Sequence, residues 1–286
     1  MLRYEATALF LFMYPIIEIF GHSVGTYTIC AAVGILLCAI VGYLLIRKNE
    51  GVCIDDLIVT AVFIVVGMVL GGHVIFAITN TTKIIALFQN AGNYTFIEFI
   101  EILFGSYLGG MVFYGGVLGG LLALYLVCKH SQFGHADVMY DMYAVCIPLF
   151  HFFGRIGCFL GGCCYGVECK FGFTAHGNTL NPSVNDVNRF PIQLVEAGCN
   201  LILFIVLIVL HQKKKCQHRL LIVYFFTYPV IRFIDEFFRG DEIRGFLFGL
   251  STSQIISILL FVFAIVFTVI DLKKRKEKDA AKVKQA

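Results

Sequence analysis

Charge is what this 286-residue sequence lacks. Only 14% of its residues are Asp, Glu, Lys or Arg, while 59% are hydrophobic and the mean hydropathy is +0.84. A soluble domain carries roughly a quarter charged residues, so a water-surrounded globule is excluded. Other absences narrow the class further. No A-x-A-like site follows the first apolar stretch, so a cleaved signal peptide is not expected. There is no internal repeat, which leaves an inverted-repeat transporter without support. The zinc-type C-x2-C spacing is absent as well.

What is present is a set of long apolar runs. Seven stretches approach the ~20 residues that a helix needs to cross a hydrocarbon core: 24–46, 56–78, 107–128, 137–157, 191–211, 219–237 and 249–271. Residues 7–20 are apolar but shorter and contain Glu18, which reads as an interfacial helix. The expected fold is an all-α polytopic membrane protein with seven transmembrane helices. Residues 1–272 would form one membrane domain, with an outer interfacial arm over 79–106 and a small polar outer head over 158–190. Residues 273–286 would be a basic cytoplasmic tail, suited to anionic lipid.

The basic residues orient the chain. Fourteen follow spans one, three, five and seven: Arg47, Lys48, Lys129, Lys213 to Lys215, Arg219 and seven from Lys273 onward. Six lie on the other side: Arg3, Lys83, Lys170, Arg189, Arg239 and Arg244. The positive-inside rule then places the N-terminus outside and the C-terminus in the cytoplasm.

Two arginines remain, and both fall in or at the edge of spans: Arg155 and Arg232. A buried arginine costs ~2.5–3.5 kcal/mol on insertion scales, so it faces a partner or a polar cavity. Arg232 has Glu236 at i+4, which offers an intrahelical ion pair. Arg155 has no acid within a turn of its own helix. The planar fork of arginine matches phosphate bidentately, so Arg155 with Arg232 or Arg239 is a candidate site for a phospholipid head group. His151 precedes Arg155 by one turn and shares its face, which makes it a candidate proton acceptor. His73 fits an interhelical hydrogen bond equally well. Glycine is dense at Gly109-Gly110, Gly115 to Gly120 and Gly154 to Gly166. Close helix packing accounts for Gly119-Gly120, and Gly115 beside Tyr114 could also make room for a lipid.

Five of the eleven cysteines, Cys30, Cys38, Cys128, Cys146 and Cys199, sit singly in apolar spans, where a thiol behaves as a small hydrophobe. Cys158, Cys163, Cys164 and Cys169 are different, being four within twelve residues on the outer side. They admit three readings: small-residue packing, metal or redox handling with disulfides such as Cys158–Cys163 or Cys164–Cys169, or reactive thiols beside Arg155.

The stretch Gly154-Arg-Ile-Gly-Cys-Phe-Leu-Gly-Gly-Cys-Cys-Tyr-Gly166 resembles the G-R-x-G-N-F-x-N-x-E-x-x-G hallmark of the prolipoprotein diacylglyceryl transferases of bacterial plasma membranes. Four more segments match that family in order. Phe113-Tyr-Gly-Gly-Val-Leu-Gly-Gly120 is similar to F-H-G-G-x-x-G, and Arg189-Phe-Pro-Ile-Gln-Leu-Val-Glu196 to R-x-P-x-Q-L-x-E. Tyr228-Pro-Val-Ile-Arg-Phe-Ile-Asp-Glu-Phe-Phe-Arg239 resembles Y-x-x-x-R-F-x-x-E-F-x-R, and Leu250-Ser-Thr-Ser-Gln254 resembles the opening of the family's last helix. The resemblance implies transfer of the diacylglyceryl group of phosphatidylglycerol to the lipobox cysteine of prolipoproteins, whose signal peptides would be partners. It implies that Arg155 and Arg232 hold the phosphate, that Tyr228 and Tyr27 orient the head group, and that Glu236 and Arg239 brace the site beside Gly115 and Gly166. The family histidine is Tyr114 here, its two hallmark asparagines are Cys158 and Gly161, and its glutamate is Cys163. The acceptor base is thereby altered, with Tyr114 and His151 as the candidates. A different acceptor, or a thiol-redox or metal-handling role for the cysteine cluster, is the alternative. No cofactor, resident metal or nucleic-acid partner is expected, and the oligomeric state is not legible.

Overall fold

A computed structural model describes residues 14–47, 52–130, 135–241, 246–247 and 249–285. The chain is mostly helical, as expected of an all-α membrane protein. Five helices are long and apolar enough to cross a membrane: α1 (Thr26–Ile46), α2 (Ile54–Thr79), α6 (Ala136–Gly161), α7 (Ile192–Gln212) and the first 22 residues of α9 (Thr252–Gln285). Two shorter helices occupy the other apolar stretches, α5 (Phe113–His130) and α8 (Leu220–Asp235). Helices suit this environment because every backbone N–H and C=O is satisfied within its own segment.

The chain divides into two compact units, residues 1–42 with 140–286, and residues 43–139. In the second unit α2 packs on α5 through glycine. Gly67 and Gly71 on α2 meet Gly119 and Gly115 on α5 so closely that a Cβ on Gly119 or Gly115 would run into the facing carbonyl. Both pairs are spaced by four residues, one small face per helix, which permits backbone-to-backbone contact. His73 supports the same unit. Its Nδ1 lies 2.9 Å from the Gly110 carbonyl and 3.0 Å from that of Leu108, so Nδ1 carries the proton.

The expected arm over 79–106 is helical but broken into pieces: α3 (Thr81–Gln89), a 3-10 turn at Ala91–Asn93, α4 (Phe96–Ile100) and a π-helical stretch Glu101–Leu108. Thr95 caps α4 in a reciprocal box with Glu98, the S/T-x-x-E signature of a helix start.

The first unit opens with a hairpin. Strands β1 (Ile16–Ile19) and β2 (His22–Gly25) pair antiparallel. This corrects the interfacial helix expected over residues 7–20, of which 7–13 lie outside the described residues. The physical reason is the turn. Phe20 and Gly21 both have positive φ (50° and 79°), the two-residue geometry that matches strand twist, and Ile19 pairs with His22 across it. The hairpin is tied to α1 by Thr26, whose N–H reaches the Pro15 carbonyl at 3.1 Å.

Helices α1 and α6 touch through small groups. Gly34 lies against Phe150 and Phe153, and each of Cys38 and Cys146 donates its thiol to the other's carbonyl. Asp141 on α6 accepts the N–H groups of His218 (2.6 Å) and Leu220 (2.9 Å), which satisfies the start of α8. Helices α8 and α9 interleave aromatic rings, among them Phe226 with Phe261, and Arg219 pairs with Asp271 at 2.8 Å. The α9 helix continues through the basic tail.

The expected head over 158–190 folds as β3 (Glu168–Thr174) paired with β4 (Asn188–Arg189), joined by an asparagine-rich loop. Asn178 organises that loop. Its side-chain oxygen accepts from the N–H groups of Leu180 and Asn181, and its backbone exchanges two bonds with the side chain of Asn185. Last, β5 (Phe246–Leu247) and β6 (Leu250–Ser251) form a short ladder before α9.

Candidate active site

Helix α6 carries His151, Arg155 and Cys158 at i, i+4 and i+7, one face of one helix. The partner of Arg155 comes from another helix. Its Nη2 lies 2.8 Å from Oε1 of Glu196 on α7, whose side chain is 1% exposed. Helix α7 presents Gln193, Glu196 and Asn200 along one buried face in an otherwise apolar segment. The sequence reading named Glu196 only as part of a motif. The available signal was three polar residues at helical spacing inside an apolar run.

Two more arginines are paired in the same way. Arg232 on α8 meets Glu236 at 2.7 Å, the expected i,i+4 pair, and donates to Ser253 on α9 at 3.0 Å. Arg239 forms a two-toothed pair with Asp241, at 3.1 Å from Nε and 2.9 Å from Nη2. Burial pushes the Asp241 carboxyl up, and the Arg239 charge pulls it back down. Gly166 bridges to Arg239, and a Cβ on Gly166 would meet the Phe190 carbonyl. The glycine therefore lets three backbone segments close over the arginine.

Aromatic rings line this charge cluster. Tyr228 stacks on Tyr224 with centroids 5.3 Å apart, and the ring of His151 lies 5.0 Å from Tyr228. His151 also lies within electrostatic reach of Arg155, Glu196 and Arg232, with Asn200 as a hydrogen-bonding neighbour. Tyr27, at the start of α1, packs against Gly157, and its hydroxyl feels Cys158, Cys163, Arg155 and Cys164.

The sulfur atoms of Cys158, Cys163 and Cys164 all lie within 4.8 Å of one another. Cys169 is on β3, outside that group. Neither Cys158 nor Cys164 is in a disulfide, so the Cys158–Cys163 and Cys164–Cys169 bridges are not formed. Hydrogen bonds from Cys158 and Cys163 lower the Cys164 pKa; burial opposes this, and the charges of Arg239 and Arg155 assist it. At Cys163 a bond from Cys158 lowers the pKa, but donation to Cys164 and burial raise it, to about 11 overall.

Sequence-predicted residues thus meet in the first unit: Tyr27, His151, Arg155, the three thiols, Gly166, Tyr228, Arg232, Glu236 and Arg239. Tyr114 and Gly115 belong to the second unit. Gly115 is buried against the backbone of Gly71, and the side chain of Tyr114 lies outside the described residues.

This arrangement suits an anionic head group. A guanidinium has five N–H donors, and the bond to Glu196 leaves Arg155 able to grip a phosphate as well. A family profile described as prolipoprotein diacylglyceryl transferase matches residues 15–270. The chain belongs to that family. It is 32% identical to the phosphatidylglycerol–prolipoprotein diacylglyceryl transferase of Clostridium tetani (strain Massachusetts / E88), over 92% of this chain and 100% of the relative. It is 30% identical to phosphatidylglycerol–prolipoprotein diacylglyceryl transferase 2 of Clostridium perfringens (strain 13 / Type A), over 91% and 96%. A Campylobacter lari (strain RM2100 / D67 / ATCC BAA-1060) relative with the first of these names is 31% identical, over 86% and 88%. Against the family hallmark, the polar positions that change are the ones now holding Cys158, Gly161 and Cys163, while Arg155, Arg232, Glu236 and Arg239 remain.

Proposed function

We propose that this chain is a multi-pass enzyme of the bacterial plasma membrane that acts in lipoprotein biosynthesis. It moves the diacylglyceryl group of phosphatidylglycerol to the lipobox cysteine of a prolipoprotein and releases glycerol phosphate. The observation that carries this reading is the set of arginine–carboxylate pairs, Arg155–Glu196 and Arg232–Glu236, standing at the family's arginine positions. Seven helices cross the bilayer with the N-terminus outside, in keeping with the fourteen-to-six division of basic residues. The membrane domain spans residues 1–272, with the arm, the head and the active site at the outer face and the tail in the cytoplasm.

Transfer makes a carbon–sulfur bond and breaks a carbon–oxygen bond, so negative charge gathers on the departing phosphate. Arg155 and Arg232 hold that phosphate and stabilise the growing charge from fixed positions, the arrangement that contributes most in a water-poor site. Glu196 and Glu236 hold each guanidinium in place, and Arg239 with Asp241 and Gly166 braces the outer edge. Tyr228 and Tyr27 orient the head group; Gly115, packed on the Gly71 backbone of its own unit, serves helix packing rather than lipid binding. The acceptor thiol must lose its proton, because the thiolate is the nucleophile. His151 takes the proton-accepting role that the family gives to a histidine at the position of Tyr114.

The deciding experiment incubates membranes containing the chain with labelled phosphatidylglycerol and a lipobox peptide. Lipidated peptide is the expected product. Phospholipid turnover without peptide lipidation means a different acceptor, a reading favoured by the hallmark cysteines. Neither reaction, from well-folded protein, removes the transferase reading.

A further inference from the structure

The three thiols of the altered hallmark form a built site. Cys158 closes α6, and Cys163 and Cys164 follow the turn at Gly162, which has positive φ (71°). Three successive carbonyls of that turn are each fixed by an amide side chain. Asn178 Nδ2 donates to Gly161 at 3.2 Å, Asn181 Nδ2 to Gly162 at 3.1 Å, and Gln193 Nε2 to Cys163 at 2.9 Å. The Cys163 N–H returns to the Cys158 carbonyl at 3.1 Å. Cys164 itself is held at a φ of 56°, a strained backbone for a residue with a Cβ, and such strain persists only where the surroundings over-determine it. Ligands held this firmly by their supporting shell are what a metal centre requires.

The dimensions suit a thiolate-binding ion. A Zn–S bond of ~2.3 Å in a tetrahedron places sulfurs ~3.8 Å apart. The observed limit of 4.8 Å therefore needs a closure of no more than about 1 Å, within side-chain rotation. Three protein ligands leave one tetrahedral position open, the pattern of catalytic rather than structural zinc. Cys163 is exposed, so that position can be reached from outside the protein. A zinc ion with three thiolates carries one net negative charge, and the charges of Arg155 and Arg239 both reach the cluster.

We infer that Cys158, Cys163 and Cys164 bind zinc and that its fourth position takes the acceptor cysteine of the prolipoprotein. The inference rests on the transferase reading and changes one part of it, the fate of the acceptor proton. A thiol that coordinates zinc is deprotonated outright. The acceptor thiol binds as thiolate, and its proton passes to solvent at the exposed edge rather than to His151. His151 lies about 10 Å along α6 from Cys158, at ~1.5 Å per residue. The zinc-bound sulfur then attacks the glyceryl carbon of phosphatidylglycerol. A carbon–sulfur bond forms, the carbon–oxygen bond to phosphate breaks with its electron pair going to oxygen, and glycerol phosphate departs as a dianion toward Arg155. The neutral thioether is a weak ligand and leaves the metal. No oxidation or reduction takes place. The hallmark substitutions thus replace an acid–base device by a metal that acidifies the acceptor.

The test strips the purified full chain with chelator and reloads it with zinc alone, or with cobalt as a spectroscopic substitute. Stoichiometric zinc is expected, together with a tetrahedral three-thiolate cobalt spectrum that shifts when a lipobox peptide is added. A peptide with serine in place of its cysteine should cause no shift. Cys158→Ser, Cys163→Ser and Cys164→Ser should each lose stoichiometric zinc and lower peptide lipidation roughly tenfold or more, whereas Cys169→Ser should retain both. Where a serine variant fails to fold, the cobalt spectrum of the unaltered chain decides. Full lipidation by metal-stripped protein overturns the zinc inference and leaves the transferase standing. Zinc binding without lipidation under any metal condition removes the transferase, and the acceptor role with it. Uptake of copper(I) alone, or a cobalt spectrum indifferent to the peptide, also overturns the inference.

Discussion

The two compact units solve opposite problems. In residues 43–139 the helices α2 and α5 approach through Gly67, Gly71, Gly115 and Gly119, and dispersion between backbones holds them. In residues 1–42 with 140–286 the interior is charged. Every ion pair among the described residues belongs to this unit, including Arg155–Glu196, Arg232–Glu236 and Arg239–Asp241. The neutral unit tolerates no added volume at its contact, and the charged unit tolerates no lost partner. Function follows the charges, because an arginine in an apolar setting persists only where its cost is offset by a carboxylate and a role.

This contrast can be broken most directly at Glu196. Glu196→Gln leaves Arg155 buried without its carboxylate, and breaking such a pair costs about 3–5 kcal/mol. Thermal unfolding in detergent should show a large loss of stability, and an unchanged midpoint would mean that the pair is not structural. Next is Arg155→Ala, which removes the donors proposed to hold the leaving phosphate. Transfer from labelled phosphatidylglycerol should fall about 10²–10³-fold, with expression maintained. A variant that retains its rate sinks the phosphate assignment. Gly119→Val probes the neutral unit. It drives side-chain atoms into the Gly67 backbone and should cost about 1–3 kcal/mol, detectable as increased protease sensitivity of residues 43–139. The smallest effect on catalysis is expected at Asp141→Ala. Two N–H groups at the start of α8 lose their acceptor, for about 1–3 kcal/mol of stability, but the catalytic rate of the folded fraction should hold. A specific loss of rate there would erase the distinction between a structural charge and a functional one.

Much of this organisation was legible beforehand. Each of the seven apolar runs holds a helix, five of them long and apolar enough to span; the run 107–128 starts six residues ahead of α5, which begins only at Phe113, and α9 runs past 271 to Gln285. The pair Arg232–Glu236 follows from helical spacing alone. The hairpin at Ile16–Gly25 was missed because an apolar run of that length reads equally as helix or strand, and the two positive-φ residues that decide it include a phenylalanine. The candidate disulfides were drawn from spacing, whereas backbone direction takes Cys169 into β3.

From the sequence alone came the membrane class, the family, the buried arginines and the altered hallmark, all carried by local composition and by residues close along the chain. Only the tertiary structure chose Glu196 as the partner of Arg155, forty-one residues away, brought Tyr27 to the thiols, and gathered Cys158 with Cys163 and Cys164. The physical reason is range. Helical period and hydropathy act over a turn or a bilayer thickness, while which faces of separate helices meet is decided by packing, burial and the need of each interior charge for an opposite one.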